Sequence, residues 1–362
     1  MVAIKAAVCR AHGAPLTVEE LSLAAPGPGE VEVRVRACAI CHSDIIFIDG
    51  GWGGALPAVF GHEAAGEVAA IGPGVEDLKV GDRVAATLIR SCGHCPCCAA
   101  GQRTYCRAPF PIAVDSPLRD ASGAAVTHGL GVAGFAERVV VHASQVAPIG
   151  ERIGWAQASL LACGVITGYG AVVNAAAMPA GASAVVIGAG GVGLNAVQGA
   201  ALTGASDVIV IDVSEEKLEI ARDFGATACV DARGEDAVEA VRRLTGGGAD
   251  YVFVTVGATS PMEQAYAMLA PGGAAVLVGM PASGATSVFD PLALADAGQR
   301  IVGSKMGQSV IRRDIPRLVR SYEAGRLELD RLVTGRFPLE EINAALDRTR
   351  EGAGVRNVVL LD

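Results

Sequence analysis

Aromatic side chains are scarce in this chain of 362 residues: 8 Phe, 5 Tyr and 2 Trp amount to 4% of it. Hydrophobic residues still make up 51%, so the apolar content is mainly Ala, Val, Leu and Ile, which suits closely packed helices and buried strands. Fixed charge is missing altogether from Ile153 to Ser206, 54 residues without Asp, Glu, Lys or Arg. A hydropathy scan flags such a stretch as membrane-spanning. Gln157, Asn174, Pro179, Asn195, Gln198 and many glycines interrupt it, however, and no clean apolar run of about 20 residues is left. A basic patch is also lacking. Lys and Arg are scattered through a chain of net charge −9 and pI near 5.3, which argues against nucleic acid or an anionic membrane as the main partner. The opening Met1-Val2-Ala3-Ile4-Lys5 lacks the basic and apolar regions of a secretory leader, so a cytoplasmic protein is expected.

Cysteine is present in quantity. Five of the ten cysteines fall between Cys92 and Cys106, and without a secretory leader such clustering favours metal over disulfides. Cys92, Cys95, Cys98 and Cys106 give the spacing C-x2-C-x2-C-x7-C, enough to close a tetrahedral zinc shell with no open position. Counting alone leaves the third ligand open between Cys97 and Cys98, and His94 is a further candidate.

At 362 residues the chain is long enough for two domains. The first third reads as short strands and turns: Val31 to Ala37 alternates apolar and charged residues, with strands also at 67–71 and from Gly81. The middle alternates strand and helix, with strands at 184–187, 207–212, 227–230, 251–256 and 274–278. That pattern means parallel strands with crossover helices. The end is mixed, with helices expected at 314–325 and 339–350 and a strand from Val355 to Leu361. We therefore expect an α/β chain: a β-rich domain over 1–164, a doubly wound parallel-sheet domain over 165–303, and a return to the first domain over 304–362.

Gly188-Ala-Gly190-Gly191-Val192-Gly193 follows the first buried strand of the middle region and opens a helix, and Asp212 ends the next strand. In this context Gly188 makes a tight turn, Gly190 lets a pyrophosphate approach the backbone, and Gly193 brings helix against strand. The helix N-terminus offers free N–H groups to the phosphates. Asp212 suits the adenosine ribose hydroxyls and repels a 2′-phosphate, predicting NAD over NADP, and Lys217 is within reach of the same ribose. A second constellation joins Cys41, His62 and the distant Cys163. Three protein ligands with a fourth position open for water or substrate are the layout of catalytic zinc.

Together, Cys41-His-Ser-Asp44, Gly61-His-Glu-Ala-Ala-Gly66, Val80-Gly-Asp-Arg-Val84, the cysteine lobe, Cys163-Gly-Val-Ile-Thr-Gly-Tyr-Gly170, the glycine loop and Asp212 resemble the zinc-dependent medium-chain alcohol dehydrogenases nearly end to end. The resemblance implies a GroES-like catalytic domain beside a Rossmann domain. It implies catalytic zinc on Cys41, His62 and Cys163, and structural zinc on Cys92, Cys95, Cys98 and Cys106, choosing Cys98 over Cys97. It further implies hydride transfer from a primary or aromatic alcohol to NAD, giving the aldehyde and NADH. Ser43 would take the alcohol's proton, Asp44 would hydrogen-bond the other nitrogen of His62, and Glu63 would tune the metal. Thr167 and Val192 would pack near the nicotinamide, and His42 and Arg356 would contact the pyrophosphate. Trp52 and Leu88 would line the substrate channel. Many relatives carry a histidine where this chain has Ile46, so the proton's exit differs here. An S-hydroxymethyl thiol (formaldehyde captured by glutathione or mycothiol) is the alternative substrate, and a non-catalytic nucleotide-binding scaffold the remote alternative. A homo-oligomer is expected, a dimer ahead of a tetramer.

Overall fold

The computed structural model describes residues 1–361. The chain divides into two compact units, Met1–Cys163 with Val310–Asp362, and Gly164–Ser309. The crossings fall one residue before and six residues after the boundaries expected from sequence. The later return has a local cause. Ser309 Oγ donates to the carbonyl of Ile166 (3.2 Å) and Asn174 Nδ2 to that of Gly307 (3.1 Å), so the segment after residue 303 stays with the second unit.

The first unit is built on two sheets. Val2–Cys9, Thr17–Leu23, Leu118–Arg119, Ala125–His128 and Ala58–Val59 close into a small barrel. The larger sheet orders Val146–Pro148, Arg83–Thr87, Glu63–Ile71, Glu30–Ala39, Arg356–Leu360 and Val333–Pro338, with Arg138–His142 also pairing with Glu30–Ala39. Its central strand buries Val31, Val33 and Val35 completely, as its alternation requires. The last strand comes from the C-terminal return and pairs antiparallel with Glu30–Ala39 through Val358↔Ala39 and Val359↔Cys38. A return by the chain's end is what seats Arg356 in this unit.

The second unit is a six-stranded parallel sheet in the order Ala228–Asp231, Asp207–Asp212, Ser183–Ile187, Ala249–Val254, Leu269–Leu277, Arg300–Gly303. The order reverses beside Ser183–Ile187, which makes that strand's carboxyl end the switch point where ligands bind in open α/β sheets. Ala184, Val185, Val186 and Ile187 are all buried, as a strand covered on both faces requires. Ser214 caps the helix Glu215–Asp223 by accepting from Lys217 N, and Asp236 caps Ala237–Thr245 by accepting from two backbone N–H groups. The helix predicted at 314–325 instead spans Ile311–Glu323, because the Asp314 carboxylate accepts from Val310 N (2.8 Å) and secures an earlier first turn.

Candidate active site

The helix His42–Ile48 starts directly after Cys41, and Asp44 at its third position faces inward, completely buried. Asp44 Oδ2 accepts from Cys41 N (3.1 Å), while Oδ1 accepts from Gly61 N (3.0 Å) and lies 3.0 Å from His62 Nδ1. One carboxylate thus binds the backbone beside one candidate donor and the ring of another. His62 Nε2 is left buried with no hydrogen-bond partner. Donor atoms of Cys41, His62, Glu63 and Cys163 lie within 4.8 Å of one another. Two sulfurs, an imidazole nitrogen and a carboxylate oxygen suit zinc, and the orphaned Nε2 is the atom such an ion would satisfy.

Electrostatics reflect the crowding. The hydrogen bond with Cys163 holds the Cys41 thiol well below its ordinary range and pushes Cys163 well above it. Burial alone would lower His62, but the Asp44 carboxylate outweighs it and holds the ring proton well above the usual histidine range. Burial pushes Glu63 up to about 7 against the pull of Arg356, whose guanidinium forms an ion pair with it. Arg356 is only 7% exposed. The structure therefore gives Arg356 a carboxylate partner inside this unit, where the resemblance had implied a pyrophosphate. Sequence reading missed this pair, and residues so far apart in the chain carry no pattern that could have joined them.

Around the set, His42 is exposed and Ser43 partly buried. Trp52 packs edge-on against Phe47 (centroids 5.3 Å apart), and Phe47 stacks with Phe60 at 5.8 Å. Leu88 is partly buried against the core of the same unit.

The cysteine lobe brings together Cys92, Cys95, Cys98 and Cys106, all sulfurs within 4.8 Å. The Sγ atoms of Cys92 and Cys98 are 4.0 Å apart and those of Cys95 and Cys106 3.9 Å, close to the ~3.8 Å edge of a tetrahedron of zinc–sulfur bonds. Cys95 N donates to Cys92 Sγ and Cys92 N to Cys106 Sγ, both at 3.3 Å. Backbone N–H groups aimed at sulfur lower Cys92 and bring Cys95 to about 6. Cys97 stands outside this group, and His94 is exposed with Nδ1 on the Cys92 carbonyl. The fold gathers Cys98, and not Cys97, with the other three sulfurs.

In the second unit, Gly188 has φ +100, and a Cβ on Gly193 would sit 1.7 Å from the Gly188 carbonyl. Both positions require glycine. A Cβ on Gly190 would meet nothing within 4 Å, leaving open the approach to the helix Gly191–Thr203, whose N-terminus no side chain caps. Asp212 Oδ2 accepts from Ala189 N (2.7 Å) and Oδ1 from Ser214 N (2.9 Å), fixing the carboxylate beside the loop. Gly191, Val192 and Lys217 are partly buried, while Thr167 is buried with its hydroxyl 3.7 Å from Met306 Sδ. No helix among the described residues is long and apolar enough to cross a membrane.

Comparison with known proteins agrees with both units. The alcohol dehydrogenase GroES-like domain model matches residues 27–151, and the zinc-binding dehydrogenase model matches 191–324. Alcohol dehydrogenase-like 7 of Arabidopsis thaliana is 34% identical over 98% of this chain and 94% of its own length. Among solved structures, an alcohol dehydrogenase zinc-binding domain protein from Burkholderia ambifaria superposes with a TM-score of 0.95 at 37% identity, covering 100% of this chain and 99% of the other. Benzyl alcohol dehydrogenase from Acinetobacter calcoaceticus gives 0.94 at 32% identity, with 100% of both chains covered. With both family models matched and relatives of this similarity along its whole length, the chain belongs to the zinc-dependent medium-chain alcohol dehydrogenases and is an oxidoreductase of that family.

Proposed function

We propose that this protein oxidises primary or aromatic alcohols to aldehydes with NAD. The observation that carries the reading is the convergence of half-buried Cys41 with buried His62 and Cys163, in which Asp44 occupies Nδ1 of His62 and leaves Nε2 without a partner. When bound, zinc at this set lowers the pKa of an alcohol hydroxyl, and a nicotinamide supplies the hydride acceptor. The chain's own residues do the rest. Asp44 fixes the imidazole by holding its Nδ1 proton and anchors Cys41 through the backbone. Ser43 Oγ takes the alcohol's proton, and the exposed His42 next to it hands that proton to solvent without the histidine that relatives carry at position 46. Cys92, Cys95, Cys98 and Cys106 hold the second ion, whose role is structural. Asp212 keeps lone pairs beyond its two backbone bonds for the ribose hydroxyls, and its charge disfavours a 2′-phosphate.

The likeness to a benzyl alcohol dehydrogenase supports an aromatic substrate. The edge strand Arg300–Gly303 pairs on one side only among the described residues, and Ile301, Phe289 and Leu292 are exposed in the same unit. These features support self-association of this chain through the open edge. A panel of benzyl alcohol, ethanol and formaldehyde with glutathione, each with NAD and with NADP, tests the reading by NADH or NADPH absorbance. Benzyl alcohol with NAD should turn over fastest, and Cys41→Ala should abolish turnover. Activity with the thiol adduct alone would overturn the substrate, and an unchanged rate in Cys41→Ala would overturn the assigned centre.

A further inference from the structure

We propose that Met306 is a positioning residue of the cofactor site, holding the Thr167 side chain in the orientation it presents to the nicotinamide. The inference rests on the reading that the second unit binds NAD with Thr167 near the nicotinamide. Met306, Gly307 and Gln308 have φ of +50, +59 and +48, three successive residues in the left-handed region. Space demands glycine at 307, where a Cβ would lie 2.1 Å from the Ile166 carbonyl. At Met306, by contrast, a side chain is kept against the preference of the backbone. That side chain is turned away from solvent. Met306 is only 7% exposed, and its Sδ accepts from the Thr167 hydroxyl at 3.7 Å.

The turn is fastened so that Met306 stays there. Asn174 Nδ2 donates to the Gly307 carbonyl and Ser309 Oγ to that of Ile166, and a Cβ on Gly170 would meet the Gly307 carbonyl at 2.5 Å. The turn therefore lies backbone to backbone on the helix Gly164–Gly170, which carries Thr167. The next residue of that helix abuts the dinucleotide loop: a Cβ on Gly168 would lie 2.1 Å from the carbonyl of Val192, in the first turn of Gly191–Thr203. Thr167 thus sits beside the helix end that suits a pyrophosphate. With its hydroxyl held by sulfur, the rotamer of this β-branched side chain is fixed, and with it the place of the methyl group. A thioether accepts a hydrogen bond without bringing a charge, which suits a buried site.

The test uses the whole zinc-loaded protein. NADH dissociation constants are measured by fluorescence for wild type, Met306→Leu, Thr167→Val, Thr167→Ser and each threonine variant combined with Met306→Leu. The melting temperature of each protein without cofactor is recorded beside them. Leucine nearly matches methionine in volume and removes the acceptor. Met306→Leu should therefore weaken NADH binding about fivefold, the loss of one hydrogen bond, with little change in melting temperature. Thr167→Val removes the donor and should weaken binding to a similar degree, after which Met306→Leu adds nothing further. In Thr167→Ser the donor remains, and Met306→Leu should again weaken binding about fivefold. Unchanged NADH binding in Met306→Leu would overturn the proposal. So would an equal effect of Met306→Leu in the wild-type and Thr167→Val backgrounds, since that result assigns the methionine to packing alone. Wild type that fails to bind NADH would instead overturn the cofactor reading beneath it.

Discussion

Asp44 concentrates more of the site than any other residue, since three groups depend on its two oxygens: Cys41 N, Gly61 N and His62 Nδ1. Asp44→Asn keeps the shape but turns an amide toward a backbone donor and removes the charge facing the imidazole. Zinc retention at the Cys41, His62, Cys163 set should fall ~10–100-fold, with kcat falling alongside, as metal analysis and steady-state rates will show. The placement of Asp44 was legible because Cys41 and Asp44 share one motif with His62 some 20 residues on. The pairing of Glu63 with Arg356 was not, because only the return of the C-terminal strand to the larger sheet brings them together. His128 offers a different test. Its Nε2 lies 3.0 Å from the Val132 carbonyl, Nδ1 is buried without a partner, and burial depresses the ring to about 4 from an unfolded value of 6.5. The unfolded chain therefore binds the extra proton in that window. Stability is complete above pH 6.5 and is lost as pH falls toward 4, by up to ~1.4 kcal/mol per pH unit. His128→Gln should flatten that slope in denaturant unfolding curves measured from pH 4.5 to 7.

At the scale of elements, the charge-free stretch becomes intelligible. It supplies the helices Gly164–Gly170 and Gly191–Thr203 and the strand Ser183–Ile187, most of it buried. A Cβ on Gly168 would lie 2.1 Å from the Val192 carbonyl and 2.8 Å from Ala196 N, so the two helices meet backbone to backbone. Gly168→Val should lower the melting temperature by roughly 10 °C, the effect of ~3 kcal/mol of overpacking, in calorimetry of the intact chain. The βα alternation could be read in advance because its strands are continuous apolar runs set between longer helical segments. The small barrel could not. Ala58–Val59 and Leu118–Arg119 are two residues each, too short for alternation to register, and only closure against Val2–Cys9 and Thr17–Leu23 defines them.

For the whole molecule, the open edge at Arg300–Gly303 predicts assembly through that strand. Ile301→Arg should shift the protein toward the monomer in light scattering while leaving the far side of the sheet intact. Length and composition already pointed to two domains, and the glycine loop and cysteine spacing to two kinds of site. Where the chain crosses between units was less legible, because Ser309 is held by a hydrogen bond to Ile166 rather than by any local signal. The spread of donors along the chain carries one more consequence. Cys92 and Cys106 are 14 positions apart, whereas Cys41 and Cys163 are roughly 120 apart. Seen as a polymer cross-link, an ion on the second pair closes a far longer loop than an ion in the lobe. Loop-closure entropy makes that tie the stronger restraint on the unfolded chain by about 2 kcal/mol, so the ion at the reacting centre also serves as the longer-range staple of the fold.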